Sequence, residues 1–232
     1  MNPFSRRPLP LRALAGCLLV VSIHAAAQPP ARSDDGLQLI EHDRSGEIYA
    51  NPDVDWSVYQ QIQLLDATVA FRKDWQRDQN RSQPFKVRAD DIERIKSSLA
   101  ALFHKVFSDE LTGNGGYSLS ATSGDQVLTI KPSIIDLDVY APDTLRAGGS
   151  HQFTESAGRM TLKLELYDSV TGALLARASD RQETPDYDYL RLTTRVTNQA
   201  EATRLLQRWA RELRRRLDHA RGAATGSSVS QE

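Results

Sequence analysis

The sequence predicts an α+β domain: a two-layer sandwich with one mostly antiparallel or mixed sheet and two helices on one face. Three observations lead there. Met160, Leu162, Leu164 and Leu166 alternate with Thr161, Lys163, Glu165 and Tyr167, the period-two pattern of a strand with one buried and one wet face. Residues 92–106 and 202–217 instead space their apolar side chains three and four apart, the stripe of an amphipathic helix. Neither stripe can bury itself, and packing both on the apolar side of a single sheet satisfies all three segments.

Residues 61–71 (QIQLLDATVAF) are aliphatic and β-branched, follow the turn-rich Asn51-Pro52-Asp53, and read as a first strand. Asp90 with Glu93 three residues on opens the first helix, whose stripe is Ile92, Ile95, Leu99, Leu102, Phe103 and Val106, and Gly113 closes it. Residues 128–140 form a second long strand. Its apolar phase switches from Leu128, Ile130 and Ile134 to Ile135, Leu137 and Val139, and with Pro132 this slip predicts a bulge or bend. The alternating strand then turns through Asp168-Ser169-Val170-Thr171-Gly172, with glycine where the hairpin needs positive φ, and returns as residues 173–181. Asn198 with Glu201 opens the last helix, whose stripe is Ala202, Leu205, Leu206, Trp209, Leu213 and Leu217.

These elements are expected in one domain spanning residues 46–221, preceded by an extended tether (28–45) and followed by a polar, disordered tail (222–232). The first 27 residues carry a different message. Arg6, Arg7 and Arg12 precede a short apolar run, and Ala25-Ala26-Ala27 supplies a small-residue cleavage site, so residues 1–27 read as a signal peptide. Export places the protein in a bacterial periplasm, with outer-membrane association as the further expectation. Cys17, the single cysteine, stands in Leu14-Ala15-Gly16-Cys17, the spelling of a lipidation box, and is the candidate lipid attachment site. Arg12 lies too close to that box to leave the usual apolar core before it, so cleavage after Ala27 is the favoured reading. Membrane contact is expected only if Cys17 is lipidated.

Cleavage there removes the cysteine and leaves 26 basic against 30 acidic side chains. Disulfides and thiolate chemistry are then excluded, and the mild acidic balance argues against a nucleic-acid partner. No catalytic, cofactor-binding or metal-ligating constellation stands out, so no cofactor is expected. Ser150 and His151 lie together in the glycine-rich segment 141–158, but no nucleophile elbow accompanies them. Glu41-His42-Asp43 is half a metal site without its other half. Asp136 and Asp138 share a strand face and could join Asp143 on a hard cation, although solvent exposure explains them as well. Gly113-Asn114-Gly115-Gly116 has the composition of a phosphate cradle but follows a helix instead of opening one. The arginines of the last helix, Arg204 to Arg221, complement its negative end and coat its wet face, with binding of phosphate-bearing lipid or an acidic partner as the alternative. Candidate partner contacts are Trp75, in the charged string after the first strand, and Arg146, His151 and Phe153 in the segment 141–158.

Tyr49-Ala50-Asn51-Pro52-Asp53-Val54-Asp55-Trp56, the string 69–78, Leu166-Tyr167-Asp168-Ser169-Val170-Thr171-Gly172 and Trp209-Ala210 together resemble the domain of unknown function 3313 family. The resemblance covers residues 36–220. It implies an exported envelope protein, in a family rich in lipoproteins, and supplies no catalytic residues. The functional expectation is a non-catalytic envelope protein that binds another periplasmic or outer-membrane component, protein, peptidoglycan or lipid, through a sheet edge or the segment 141–158. The alternatives are a periplasmic hydrolase using His151 and a carrier of lipid or another small ligand; the oligomeric state is not legible.

Overall fold

The structure, a computed structural model, describes residues 29–82, 86–139, 152–154, 158–183, 191–193 and 195–228. The chain begins with two short antiparallel strands, β1 (Gln38–His42) and β2 (Gly46–Ala50), turned by Asp43, whose carboxylate accepts from the Ser45 and Gly46 N–H groups. A 3₁₀ turn at Trp56–Val58, capped by Asp55, leads into β3 (Gln61–Leu64) and β4 (Thr68–Phe71). Helix α1 (Trp75–Ser82) follows, then the long α2 (Ala89–Thr112). After β5 (Ser118–Leu119) come β6 (Val127–Val139), β7 (Gln152–Thr154), β8 (Gly158–Asp168), β9 (Leu174–Glu183), β10 (Arg191–Thr193) and α3 (Arg195–Ser228).

Eight strands form one mixed sheet in the order β1-β2-β9-β8-β6-β3-β5, with β4 pairing β6 beyond the end of β3. Strands β7 and β10 make a separate antiparallel pair. The expected alternation of β8 sets the layers. Leu162, Leu164 and Leu166 pair with Ile134, Pro132 and Ile130 on β6 and turn the same way, towards a single core that also holds Phe103 and Phe107 of α2 and Leu206, Trp209 and Ala210 of α3. The fold is therefore the expected α+β sandwich.

Three local details differ from the sequence reading, and the expected bulge is present. The first strand is two strands, because β3 leaves β6 after the Leu65 N–H donates to Ile130 O, and β4 resumes only at Ser133. Pro132 fills that gap. It lies two residues after Ile130, so its missing N–H faces the same side, and the neighbouring chain detours where no donor exists. The bulge falls where the apolar phase switches, as expected, between Ile135 and Asp138, where Asp136 takes a positive φ of 51°. The first helix begins at Ala89, not at Asp90 with Glu93: the Asp91 carboxylate accepts from the Arg88 N–H. Residues 75–82, in which the sequence reading placed no helix, are helical.

The ends are also more structured than their composition suggests. Within the stretch expected as a tether, Leu37 is buried, β1 joins the sheet, and residues 30–37 cross its outer face. There Tyr49 is covered: its hydroxyl donates to Pro30 O, and Arg177, paired with Asp35, lies over its ring. Helix α3 runs to Ser228, past Gly222 where a tail was expected, and residues 229–232 lie outside the described ones.

The β8–β9 hairpin is as expected, with Gly172 at φ +70°. Asp168 organises it. One carboxylate oxygen accepts from the Thr171 N–H at 2.7 Å, the Thr171 hydroxyl and the Val170 N–H, while the other accepts from the Tyr59 hydroxyl at 3.0 Å. The Thr171 N–H leads these bonds in holding the Asp168 carboxyl below its usual range. Burial, and then the Asp168 charge, push the Tyr59 hydroxyl up to about 12. Tyr59 thus ionises later folded than unfolded, and its contribution to stability is complete below pH 10 and disappears as the pH climbs towards 12. The sign for Asp168 is opposite: its contribution is lost as the pH falls below about 3.8. Denaturant midpoints are expected to decline between about pH 10 and 12, and to decline less in Tyr59→Phe; equal slopes would contradict this assignment.

Candidate functional site

A cleft of about 230 Å³ opens between α3 and the β1–β2–β9 end of the sheet. Its floor follows from strand register. Leu164 pairs with Ala178 and Ala178 with Ile48, while Leu162 pairs with Asp180 and Asp180 with Gly46, so two rows of side chains face α3. The small side chain of Ala178 leaves space that a larger one would fill. At Gly46 the close approach is strict, since a Cβ would lie 1.9 Å from Ser179 O.

The opposite wall is one side of α3, where Trp209 and Leu213, and Glu212 and Arg216, recur four residues apart. The Trp209 indole N–H donates to Asp180 Oδ2 at 2.5 Å, and Asp180 also accepts from Gln182, which in turn accepts from Arg208. Arg216 ties the wall to the sheet edge through Glu41 at 2.8 Å and to its own helix through Glu212 at 2.6 Å. Glu47 completes the lining and has no ion pair among the described residues. Five carboxylates, Glu41, Asp43, Glu47, Asp180 and Glu212, therefore surround an apolar floor with the one lining guanidinium, Arg216, and Arg215 pairs with Glu212 from outside the lining.

Two of the cleft's carboxyls are held below their ordinary range. Ser45 and the Gly46 N–H hold the Asp43 carboxyl below its ordinary range, and Arg215 followed by Arg216 does the same for Glu212. Both are anions at neutral pH, unlike a general acid, which needs a raised value. No histidine or cysteine is among the described residues that line the cleft. Elsewhere Ser108 and His104 approach at 3.4 Å, but both lie on α2 and no carboxylate orients the imidazole among the described residues.

The residues singled out by sequence scatter. Trp75 is 1 % exposed, its ring stacks on Phe71 at 3.9 Å, and its N–H donates to Val139 O at 2.9 Å. Its surface is used inside the chain, which corrects the expectation that it meets a partner. Arg146 and His151 lie outside the described residues, as do Cys17, Asp143 and the signal segment; Phe153 pairs with Leu192 through its backbone in the β7–β10 ribbon. Asp138 is engaged by Arg72 at 2.8 Å and Arg159 at 3.2 Å, so its charge is already neutralised. Glu41 and Asp43 do reach the cleft, as an ion-pair partner and a turn anchor. Sequence reasoning missed Asp180 and Trp209. A signal existed, because Ala176, Ala178 and Asp180 occupy successive inward positions of β9, and a carboxylate there requires a buried donor.

These features define a two-layer α+β domain with one small, anionic, apolar-floored cleft among the described residues. The chain belongs to the family described as "Protein of unknown function (DUF3313)", whose model matches residues 28–213. No curated protein matches it. Among solved structures it is similar to the PelC dodecamer from Paraburkholderia phytofirmans, at 9 % identity and TM-score 0.36 over 72 % of this chain and 96 % of that one. It is also similar to a Xanthomonas campestris protein of the DUF330 family, at 14 % identity and TM-score 0.33 over 79 % and 94 %. A PDZ domain protein from Parabacteroides distasonis gives 10 % identity and TM-score 0.37 over 70 % and 34 %. These likenesses are loose, and no property of those proteins transfers to this chain. Among the described residues no helix is long and apolar enough to cross a membrane.

The placement of Trp75 makes a direct prediction. Trp75→Ala is expected to cost about 3–5 kcal/mol in chemical denaturation. Trp75→Phe, which keeps the ring but leaves Val139 O without its donor, is expected to cost about 1–2 kcal/mol. Unchanged stability of both variants would mean that the indole is not part of the core.

Proposed function

We propose that the protein is an exported, non-catalytic component of the bacterial envelope that binds another envelope component at the cleft between α3 and the β1–β2 hairpin. The observation that carries this reading is the cleft itself. Its floor is apolar, and the rim carboxylates Glu41, Asp43 and Glu212 are fixed by turn and ion-pair bonds while Glu47 is left for a partner. Such a surface holds a partner without transforming it. The export pattern of residues 1–27 supports the compartment, and a mature chain without cysteine suits one that folds without disulfides.

Size favours a side chain over a lipid. At about 230 Å³ the cleft is smaller than the roughly 300–1,000 Å³ usual for small-molecule sites, which favours a protruding side chain over a long acyl chain.

Photo-crosslinking in cells tests the proposal. A photoreactive residue at Glu47 is expected to trap a partner, one at the exposed Asp125 is not, and Ala178→Phe, which fills the floor, is expected to abolish the Glu47 adduct. The exported chain is expected to begin at Gln28 by intact mass. Equal adducts from both positions, an adduct indifferent to Ala178→Phe, or recovery of the uncleaved chain in the cytoplasm would contradict the reading.

A further inference from the structure

Helix α3 carries a second feature that the cleft does not use. Arg204, Arg208, Arg211 and Arg215 are exposed and recur at four, three and four residues. At about 100° per residue they fall on one stripe roughly 60° wide. Arg204 and Arg215 pair with Glu201 and Glu212 on their own helix. Arg208 donates only to the Gln182 amide oxygen, and Arg211 has no ion pair, among the described residues. Two guanidiniums without carboxylates thus stand beside a cleft whose Glu47 has no guanidinium.

Of the stripe only Arg215 reaches a carboxylate of its own cleft, Glu212, while Arg208 and Arg211 reach none among the described residues. The stripe points roughly 135° around the helix from the wall formed by Trp209, Leu213 and Arg216. The two patches are nevertheless neighbours, since Arg208 reaches Gln182 and Gln182 reaches Asp180 at the cleft. Adjacent patches of opposite sign on one surface complement themselves across a two-fold axis: the stripe of each copy meets the cleft of the other.

The chemistry of the fit agrees. An arginine offers a hydrocarbon stem for the floor of Ile48, Leu162 and Leu164, and a planar cation for the carboxylate rim. With 34 residues α3 is about 51 Å long, enough for two such helices to cross while both contacts form. Resting on the reading of the cleft as a binding site, we propose that its occupant is the α3 arginine stripe of a second copy, centred on Arg208 and Arg211, in an isologous dimer.

Charge reversal tests this on the mature chain, residues 28–232, by sedimentation and light scattering. The wild type is expected to form a dimer that weakens as salt is raised. Arg208→Glu with Arg211→Glu, and separately Glu47→Arg, are each expected to weaken self-association about tenfold or more, with circular dichroism confirming that both variants remain folded. Mixed in equal amounts, the two variants restore both contacts at once, and a one-to-one heterodimer is expected. A monomeric wild type at low salt, or a mixture that stays monomeric, would overturn the proposal. If the wild type is monomeric while Glu47 still traps a different protein in cells, the dimer is refuted and the binding reading of the cleft stands; loss of both refutes both.

Discussion

Arg214 holds the two long helices together. An α-helix ends with carbonyls that have no partner within it, and at the end of α2 the Glu110, Leu111 and Gly113 oxygens accept from the Arg214 guanidinium at 3.2, 2.9 and 3.1 Å. The cation sits at the negative pole of α2, its Nε donates to Asp218 at 2.7 Å, and the Tyr117 ring lies against it. Beneath it Gly116 leaves no alternative, since a Cβ there would lie 2.1 Å from Arg214 Nη1 and 2.2 Å from Leu111 O. The glycine string that has the composition of a phosphate cradle therefore cradles a guanidinium, with carbonyls where a phosphate site would present N–H groups.

From that anchor the rest of α3 takes its position. Five residues before Arg214 the Trp209 indole reaches Asp180 on β9, and two residues after it Arg216 reaches Glu41 on β1. These contacts hold the helix over the small side chain of Ala178 and so create the cleft instead of closing it. The same helix then presents its outer arginines at a fixed angle to that cleft. Structure and proposed function meet in one element: its inner side builds the core, one flank lines a site, and its outer side offers a surface complementary to that site.

Much of the architecture was legible because it rests on period. The alternation of β8, the stripes of α2 and α3 and the Asp168–Gly172 turn each repeat a local rule, and tertiary packing agreed with every one. What escaped depended on contacts distant in sequence. Residues 61–71 read as one strand because nothing in them announces that Pro132 on a neighbouring strand lacks a donor. Trp75 looked free because its acceptor, Val139 O, lies 64 residues away. The arginines of α3 read as one wet face, whereas Arg214 and Arg216 bind far carbonyls and carboxylates, and among the described side chains only Arg204, Arg208, Arg211 and Arg215 are exposed. For the site, Glu41 and Asp43 drew attention as metal ligands. Their place in the cleft depended on β1 joining the sheet, which the polar residues around it concealed.

The seat of α3 is the claim on which the cleft and its proposed occupant both depend, and amide hydrogen exchange of Arg214→Met measures it directly. That substitution keeps the hydrocarbon stem and removes the donors. The last turn of α2, Tyr117 and the α3 segment from Leu206 to Leu217 are expected to lose protection together, while the β8–β9 hairpin keeps its own. Protection unchanged across α2 and α3 would contradict the account, because the helices would then be held without the guanidinium.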